Sequence, residues 1–170
     1  WLPFLKWFTP IEGGWTPGDG PVVFAGKNFT ASPLICFEDV FPGTARAAAA
    51  SGPDFLVNLT NDGWFGDGAE QWQHLANSVF RAVENGLPLV RCCNNGITGW
   101  MDEHGRGREI FRTAAGSEYG PGTLLMKIPL RPATEKSTPT FYQRHGNWFA
   151  WSCAAFVFAM FISRRKKCKE

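Results

Sequence analysis

Short apolar runs closed by turn residues alternate with helix-forming segments over the first hundred residues of the chain. Such runs predict buried strands at residues 22–25, 32–37, 55–59 and 88–93. The turn 26–28 joins the first two strands into a hairpin. An alanine-rich segment, 44–50, with Pro42 in its first turn, predicts a helix that Gly52 and Pro53 end. Strands and helices in this order predict an α/β layered sandwich.

A second helix is predicted to follow residue 67. Asp67 and Glu70 have the spacing of a capping box, and Gly86 ends the helical pattern. His74 lies beside the apolar stripe and is interpreted as a hydrogen-bonded structural histidine, with a general base as the alternative. The predicted buried stripe consists of apolar residues at helical spacing: Trp72, Leu75, Ala76, Val79, Phe80 and Val83.

The remaining segments have weaker patterns. Residues 1–20 have no sustained period and predict a loop. A hairpin is expected from 97–102 and 109–112, and a last strand from 122–130, where apolar and polar residues alternate. Residues 132–144 are polar and predicted to be irregular.

Cys36 has the most informative position in the chain. It stands near the end of the predicted strand 32–37, shortly before the helix, and Glu38 follows two residues later. Side chains at the carboxyl ends of strands in α/β sheets emerge into a crevice, and a nearby helix N-terminus favours the thiolate, which is the nucleophilic form of cysteine. A free cysteine also packs as a small apolar residue. A catalytic thiol and a core thiol therefore both remain open here.

The loop after the strand 55–59 is the second candidate for function. It contains Asn61 and places Trp64 and Phe65 between glycines, which is unusual for a simple connection. Loops after buried strands carry functional groups disproportionately often. The alternative for Trp64 is ordinary packing in the core.

Composition narrows the possible functions. The 170 residues have a net charge of +2, but the last seven carry five Lys or Arg and one Glu, so the other 163 residues sum to −2. No basic surface for nucleic acid is therefore expected outside the tail. The five cysteines lack metal-ligand spacing, and their odd number argues against a disulfide framework.

The end of the chain predicts a membrane-spanning helix over 147–163. Residues 148–162 are uncharged and contain Phe residues all round the helix, with Trp148 and Trp151 at one end and a basic run after the other. Aromatic residues at one end and basic residues at the other are typical of interfaces with a bilayer. The positive-inside rule then places the tail 164–170 in the cytoplasm and the folded domain on the opposite face. A buried terminal helix is the alternative.

A resemblance to a known family rests on Cys36-Phe37-Glu38 together with motifs spread over nearly the whole chain. The combination resembles the apolipoprotein N-acyltransferases of the nitrilase, or carbon–nitrogen hydrolase, superfamily. The further motifs are residues 58–66 (NLTNDGWFG), 73–75 (QHL), Arg81-Ala82, Glu84, Pro88, Arg91, 94–98 (NNGIT) and 142–148 (YQRHGNW).

The resemblance implies a fold and a division of the chain. We expect the C-terminal part of a nitrilase-like α-β-β-α sandwich at 1–131, a linker at 132–146, a transmembrane helix at 147–163 and a basic cytoplasmic tail at 164–170. The chain begins at Trp1 without an initiator methionine and resembles a C-terminal piece of a longer protein. The family's catalytic Glu and Lys would lie upstream, so the piece alone is expected to be inactive.

The resemblance also implies an activity that needs no cofactor or metal. Cys36 would take an acyl chain from a phospholipid as a thioester and pass it to the N-terminal amine of a diacylated lipoprotein, at the bacterial inner membrane. The N–H of Phe37 would help to bind the oxyanion, Glu38 would orient the amine or the base, and Asn61 and Trp64 would belong to the loop that admits lipid. The family often has Tyr where this chain has Phe37.

Two other functions remain open at this point. A membrane-tethered nitrilase or amidase would use the same thiolate with water as the acceptor. A catalytically dead, membrane-anchored binding module would lack the upstream Glu and Lys.

Overall fold

The centre of the fold is a six-stranded sheet whose strands lie in chain order. A computed structural model describes residues 18–132, 135 and 138–167, with side chains to residue 164. The inner strands β2, β3 and β4 are parallel, and the other neighbouring pairs are antiparallel. The strands are β1 (Phe24–Ala25), β2 (Thr30–Ile35), β3 (Phe55–Asn61), β4 (Leu89–Asn94), β5 (Gly99–Met101) and β6 (Gly107–Ile110).

Two helices form the connections between the parallel strands. Helix α1 (Pro42–Ala50) joins β2 to β3, and helix α2 (Ala69–Asn85) joins β3 to β4. Pro42 occupies the first turn of α1, as predicted, and Gly86 ends α2 with a left-handed φ of 62°. The sequence therefore predicted this α/β alternation correctly, apart from shifts of a few residues at the ends.

The core lies between these helices and one face of the sheet. Leu34, Leu56 and Leu89 come from the three parallel strands and are fully buried. Ala45, Ala48 and Ala49 of α1 pack against them, and their small side chains let the helix lie close to the sheet.

The opposite face of the sheet remains open. Phe24, Ile35 and Leu59 are exposed there, although apolar residues on a sheet usually face another layer. One helical layer and one sheet layer of the predicted α-β-β-α sandwich are thus seen, and the second pair of layers is not among the described residues.

The prediction for the buried face of α2 was wrong. The buried row is polar except for Ala82, whereas Trp72, Phe80 and Val83 of the predicted stripe are exposed. Leu75 and Val79 only border the core. The capping box was also misplaced, since the N-cap is Gly68 and its N–H donates to Gln71 Oε1 at 3.0 Å. The buried row of α2 is Gln71, His74, Ser78, Arg81, Ala82 and Asn85.

Two predictions in the second half of the chain need correction. Residues 122–130 have the predicted alternation of exposure but pair with no strand among the described residues, so no ladder forms there. The linker 132–146 contains a short helix, α3 (Phe141–His145), where an irregular segment was expected. Arg46 of α1 donates to the carbonyls of Gln143 and Arg144, at 2.7 and 3.2 Å, and so ties α3 to the domain.

The last helix, α4 (Trp148–Lys167), begins where a membrane span was predicted. Among the described residues, however, none of the helices combines the length and the apolar character that crossing a bilayer requires, so the predicted transmembrane helix 147–163 is not confirmed. The predicted loop up to residue 17 and the end of the basic tail, 168–170, lie outside the described residues.

Candidate functional site

Cys36 occupies a strained turn at the carboxyl end of β2. The strand ends at Ile35, and Cys36 begins a 3-10 turn, Cys36–Val40, with a left-handed φ of 52°. A residue other than glycine in this conformation is strained, and such strain concentrates at functional sites. The Nδ2 group of Asn58 donates to the Cys36 carbonyl at 2.9 Å and holds the turn from below. The sulfur is therefore in the predicted place, on a half-buried residue at the edge of the sheet.

The two residues after Cys36 face different groups. Glu38 is exposed, and its Oε2 accepts from the N–H of Ile35 at 2.7 Å, so its carboxylate closes the nucleophile turn. Phe37 is half exposed, and its ring lies 5.3 Å from the His74 ring, centroid to centroid. The oxyanion role of the Phe37 N–H and the orienting role of Glu38 stay predictions.

The Trp64 loop lies at the same edge of the sheet. Parallel strands β2 and β3 pair Ile35 with Leu59, so the loop after β3 begins beside the Cys36 turn. Asn61 Oδ1 accepts from the N–H of Gly63 at 3.1 Å and from Asn94 Nδ2 at 3.0 Å, which fixes the start of the loop. Trp64 is 82% exposed, which rules out the packing alternative for this side chain within the described part of the chain.

Exposed apolar side chains surround this edge. Exposed large apolar side chains gathered at one end of a sheet are typical of a surface that contacts a further layer of protein, a membrane or an apolar ligand. The exposed members come from the ends of β2 and β3 and from the two turns that follow them: Ile35, Phe37, Phe41, Leu59, Trp64 and Phe65.

A buried charge cluster lies beneath the two turns. We use this name for Asp39, Asn58, Asp62, His74, Ser78 and Arg91, which are all at most 3% exposed. Arg91 Nη1 lies 3.1 Å from Asp39 Oδ2, and its Nη2 lies 2.6 Å from Asp62 Oδ2. Arg91 also donates to Asn58 Oδ1 at 2.9 Å, and Ser78 donates to Asp39. Buried charges are tolerated when they are paired in this way.

His74 connects the two carboxylates of the cluster. Its Nε2 lies 2.8 Å from Asp39 Oδ1, and its Nδ1 lies 2.8 Å from Asp62 Oδ1. Burial and the nearby Arg91 charge both lower the pKa of His74, but the hydrogen bond and charge of Asp39 and the hydrogen bond of Asp62 outweigh them, and the pKa is raised. The predicted hydrogen bonding of His74 is confirmed, and its structural role stays a prediction.

Asp62 within the cluster and Cys93 beside it also have shifted pKa values. Burial favours the neutral form of Asp62, but the Arg91 charge and the His74 hydrogen bond reverse that effect and lower its pKa. Burial raises the pKa of the Cys93 thiol to about 12, so this cysteine stays protonated at neutral pH. Among the described residues, no group of His, Cys, Asp and Glu side chains is arranged to hold a metal ion.

Sequence reasoning named His74 but missed the cluster around it. The available signal was polar residues inside strands that otherwise read as apolar, since Asn58 lies within 55–59 and Arg91 within 88–93. A buried charge needs a partner, so an arginine in a buried strand predicts nearby carboxylates. Asp39 and Asp62 supply them from turns at the ends of two other strands.

Comparison with known proteins places these features in context. Residues 8–121 match the family described as carbon-nitrogen hydrolase. The chain is 36% identical over 168 residues to the apolipoprotein N-acyltransferase of Geobacter metallireducens, covering 97% of this chain and 30% of that protein. It is 44% identical over 147 residues to the apolipoprotein N-acyltransferase of Rickettsia bellii, covering 85% of this chain and 27% of that protein. The chain thus spans less than a third of the length of these relatives.

Among solved structures, an amidase from Nesterenkonia sp. is similar to the chain. The sequences are 24% identical, the TM-score is 0.47, and the match covers 57% of this chain and 39% of the amidase.

Proposed function

The chain belongs to the carbon–nitrogen hydrolase family, and we propose that its full-length protein transfers an acyl chain from a phospholipid to the N-terminal amine of a diacylated lipoprotein. One observation carries this proposal. The strained Cys36 turn lies at the same sheet edge as an exposed Trp-Phe loop, so a sulfur nucleophile stands beside an apolar surface. Homologues named apolipoprotein N-acyltransferase support lipoprotein acylation in general.

The reaction divides into two steps at one sulfur atom. In the first step the Cys36 thiolate attacks the ester carbonyl carbon of the phospholipid, a C–S bond forms, and the C–O bond to glycerol breaks. The lysophospholipid leaves and takes up a proton. In the second step the lipoprotein amine attacks the thioester carbon, an amide bond forms, and the C–S bond breaks. The proton lost by the amine balances the charge of the regenerated thiolate.

This chain supplies only part of the machinery in this proposal. Cys36 provides the sulfur, the N–H of Phe37 contributes to the oxyanion site, and Glu38 orients the incoming amine or the base. Asn61 fixes the loop on which Trp64 contacts the acyl chains. The general base Glu and the oxyanion-binding Lys implied by the family come from the rest of the full-length protein, and the reaction uses no cofactor.

Contact with a lipid bilayer is the second part of the proposal. Helix α4 exposes large apolar side chains on all sides, which suits contact with lipid better than contact with water. The inner-membrane location and the orientation expected from the basic tail stay predictions. The exposed side chains include Trp148, Phe149, Trp151, Phe156, Phe158 and Phe161.

The test uses the full-length protein with a phospholipid labelled in its acyl chain and a diacylated lipopeptide. We expect a hydroxylamine-sensitive label on the proteolytic fragment of the protein that contains Cys36. The label should then move to the amine of the lipopeptide. C36S and C36A should abolish both while the protein stays folded, and C92S, which changes an exposed cysteine, should abolish neither.

Other results of this experiment would favour one of the alternative functions. Hydrolysis of small amides without acyl transfer would assign the chain to a membrane-tethered amidase or nitrilase. Binding of lipid without turnover would assign it to a binding module. Full turnover in C36A would refute the thioester route.

A further inference from the structure

We propose that His74 is a positioning residue that joins the turn carrying Cys36 to the loop carrying Trp64 and sets the sulfur against that loop. The inference rests on the proposed roles of Cys36 and Trp64. It concerns a side chain that has no place in the chemistry described above.

The geometry of His74 supports this role. Asp39 belongs to the 3-10 turn that begins at Cys36, and Asp62 directly precedes the turn Gly63–Phe65 that contains Trp64. The two carboxylates come from segments that follow different strands, and one imidazole lies 2.8 Å from each of them. The 3% exposed imidazole is therefore a direct side-chain bridge between the two functional turns.

The bridge needs both ring nitrogens to donate. A neutral imidazole donates from one nitrogen only, so it could satisfy one carboxylate and not the other. An imidazolium donates to both, and with two ionised carboxylates and the Arg91 guanidinium it makes the cluster electrically neutral. A protonated His74 thus donates to both carboxylates and balances the charge of the cluster.

The groups around His74 come from four parts of the fold. Asp39 and Asp62 face it from the two turns, and Arg91 Nη2 lies 2.9 Å from its Nδ1 on the side of β4. Asp62 contacts both of these cations, one on each carboxylate oxygen, which offsets their mutual repulsion. Glu70 of α2 is a further carboxyl group near His74. Burial and the negative charge of Asp62 raise the pKa of Glu70. The raised pKa of His74 agrees with its donating from both nitrogens.

The other side-chain links to these turns are of two kinds: two residues hold the Cys36 turn alone, and Arg91 contacts both carboxylates. Asn58 holds the Cys36 carbonyl, and Arg81 Nη1 donates to the carbonyls of Asp39 and Val40 at 3.1 and 3.3 Å. Arg91 reaches both carboxylates from below, on the side of the sheet. Loss of His74 should therefore leave the turns attached to the core and joined by Arg91 alone, so that the two carboxylate oxygens that His74 held can shift relative to each other.

The test compares H74Q with H104Q in the full-length protein, because His104 is exposed and lies outside the cluster. Iodoacetamide labelling of Cys36 is measured by peptide mass spectrometry relative to the exposed Cys92 of the same molecule. We expect H74Q to change this labelling ratio several-fold and to lower kcat for acyl transfer about 10- to 100-fold, as a small misplacement of a reacting group does. H104Q should change neither.

A double variant separates the effect of His74 on the position of Cys36 from the effect of its positive charge on the cluster. H74Q alone leaves the cluster with one excess negative charge, whereas H74Q combined with D39N restores neutrality and should restore the melting temperature. If the double variant keeps the altered labelling ratio and the low kcat, the positioning role stands. If it recovers both, His74 acts through charge alone and the proposal is overturned.

The labelling experiment does not depend on the proposed reaction. An altered Cys36 ratio in H74Q would support the positioning role even if the wild type transferred no acyl chain, and that result would remove only the proposed function. An unchanged ratio and an unchanged kcat in a folded H74Q protein would overturn the inference while the acyltransferase proposal stood.

Discussion

Replacing Arg91 with Met tests whether the buried charge cluster holds the edge of the sheet together. Arg91 is fully buried, and its guanidinium pairs with Asp39 at 3.1 Å and Asp62 at 2.6 Å. Met fills a similar volume and removes the charge. Both carboxylates would then remain buried with His74 as their only cationic partner within the cluster.

The expected destabilisation is large. Removing one partner of a buried ion pair costs about 3–5 kcal/mol, because an uncompensated charge is left in a region of low polarity. R112M is the matched control, since Arg112 pairs with Glu118 at 2.6 Å but is half exposed. An exposed pair contributes at most about 1 kcal/mol, so the two substitutions should differ several-fold in their effect.

The loss of unfolding free energy in R91M relative to the wild type should become smaller as the pH falls. In the wild type the pKa of Asp62 is lowered from 3.8, so its ionised form stabilises the fold above that value, and the stabilisation is lost as the pH falls through the lower folded-state pKa. Without Arg91 the effect of burial is opposed less, and the pKa of Asp62 should rise. The deficit of R91M relative to wild type should therefore be greatest near neutral pH and shrink as the pH falls.

Denaturant unfolding of the full-length protein, followed by near-ultraviolet circular dichroism at several pH values, measures these differences. A loss of stability in R91M no greater than that in R112M would show that the buried ion pairs do not hold this edge of the sheet together. A loss in R91M that grows as the pH falls would contradict the expected ionisation of Asp62.

Two further predictions concern the loop and the turn beside it. W64A should lower acyl transfer at least about 10-fold yet change the free energy of unfolding by less than about 0.5 kcal/mol, because the side chain is 82% exposed. W72A, which alters an exposed tryptophan of α2, should change neither quantity. Equal losses in the two variants would contradict a specific role for Trp64. G96A should destabilise the protein by about 1–3 kcal/mol, because the new Cβ would lie 2.7 Å from Asp62 Oδ2 and clash with Cys93 Sγ. G107A meets open space and is its control in the same thermal melts, and matching melting temperatures for the two variants would show that the crowding at Gly96 is harmless.

The sequence predicted those parts of the fold that depend on local signals. Apolar runs closed by glycine or proline located β2, β3 and β4, and alanine content with Pro42 located α1. The position of Cys36 followed from the same pattern, because the end of a buried strand is a local feature. Its left-handed φ did not follow, since the hydrogen bond from Asn58 that supports the turn comes from a neighbouring strand.

The buried face of α2 was mispredicted for a physical reason. Polar residues at helical spacing normally indicate a solvated face, and the apolar stripe beside them normally indicates the core. Here His74, Ser78 and Arg81 are buried because their partners lie on the Cys36 turn, more than thirty residues away along the chain. No pattern within the helix reveals such partners. The alternation over 122–130 failed similarly, because a strand also needs a neighbour with which to pair.

The charges under the site make better sense as constraints on geometry than as sources of stability. Apolar side chains of the same shape could stabilise the fold equally well, because the cost of removing charges from water offsets much of their attraction. Charged hydrogen bonds add fixed directions and short distances that apolar contacts lack. Asp39, Asp62, His74 and Arg91 come from four different parts of the fold, so satisfying all four at once leaves little freedom in how those parts meet. The edge of the sheet that carries Cys36 is thereby fixed from beneath, while the apolar side chains on its outer side stay exposed among the described residues.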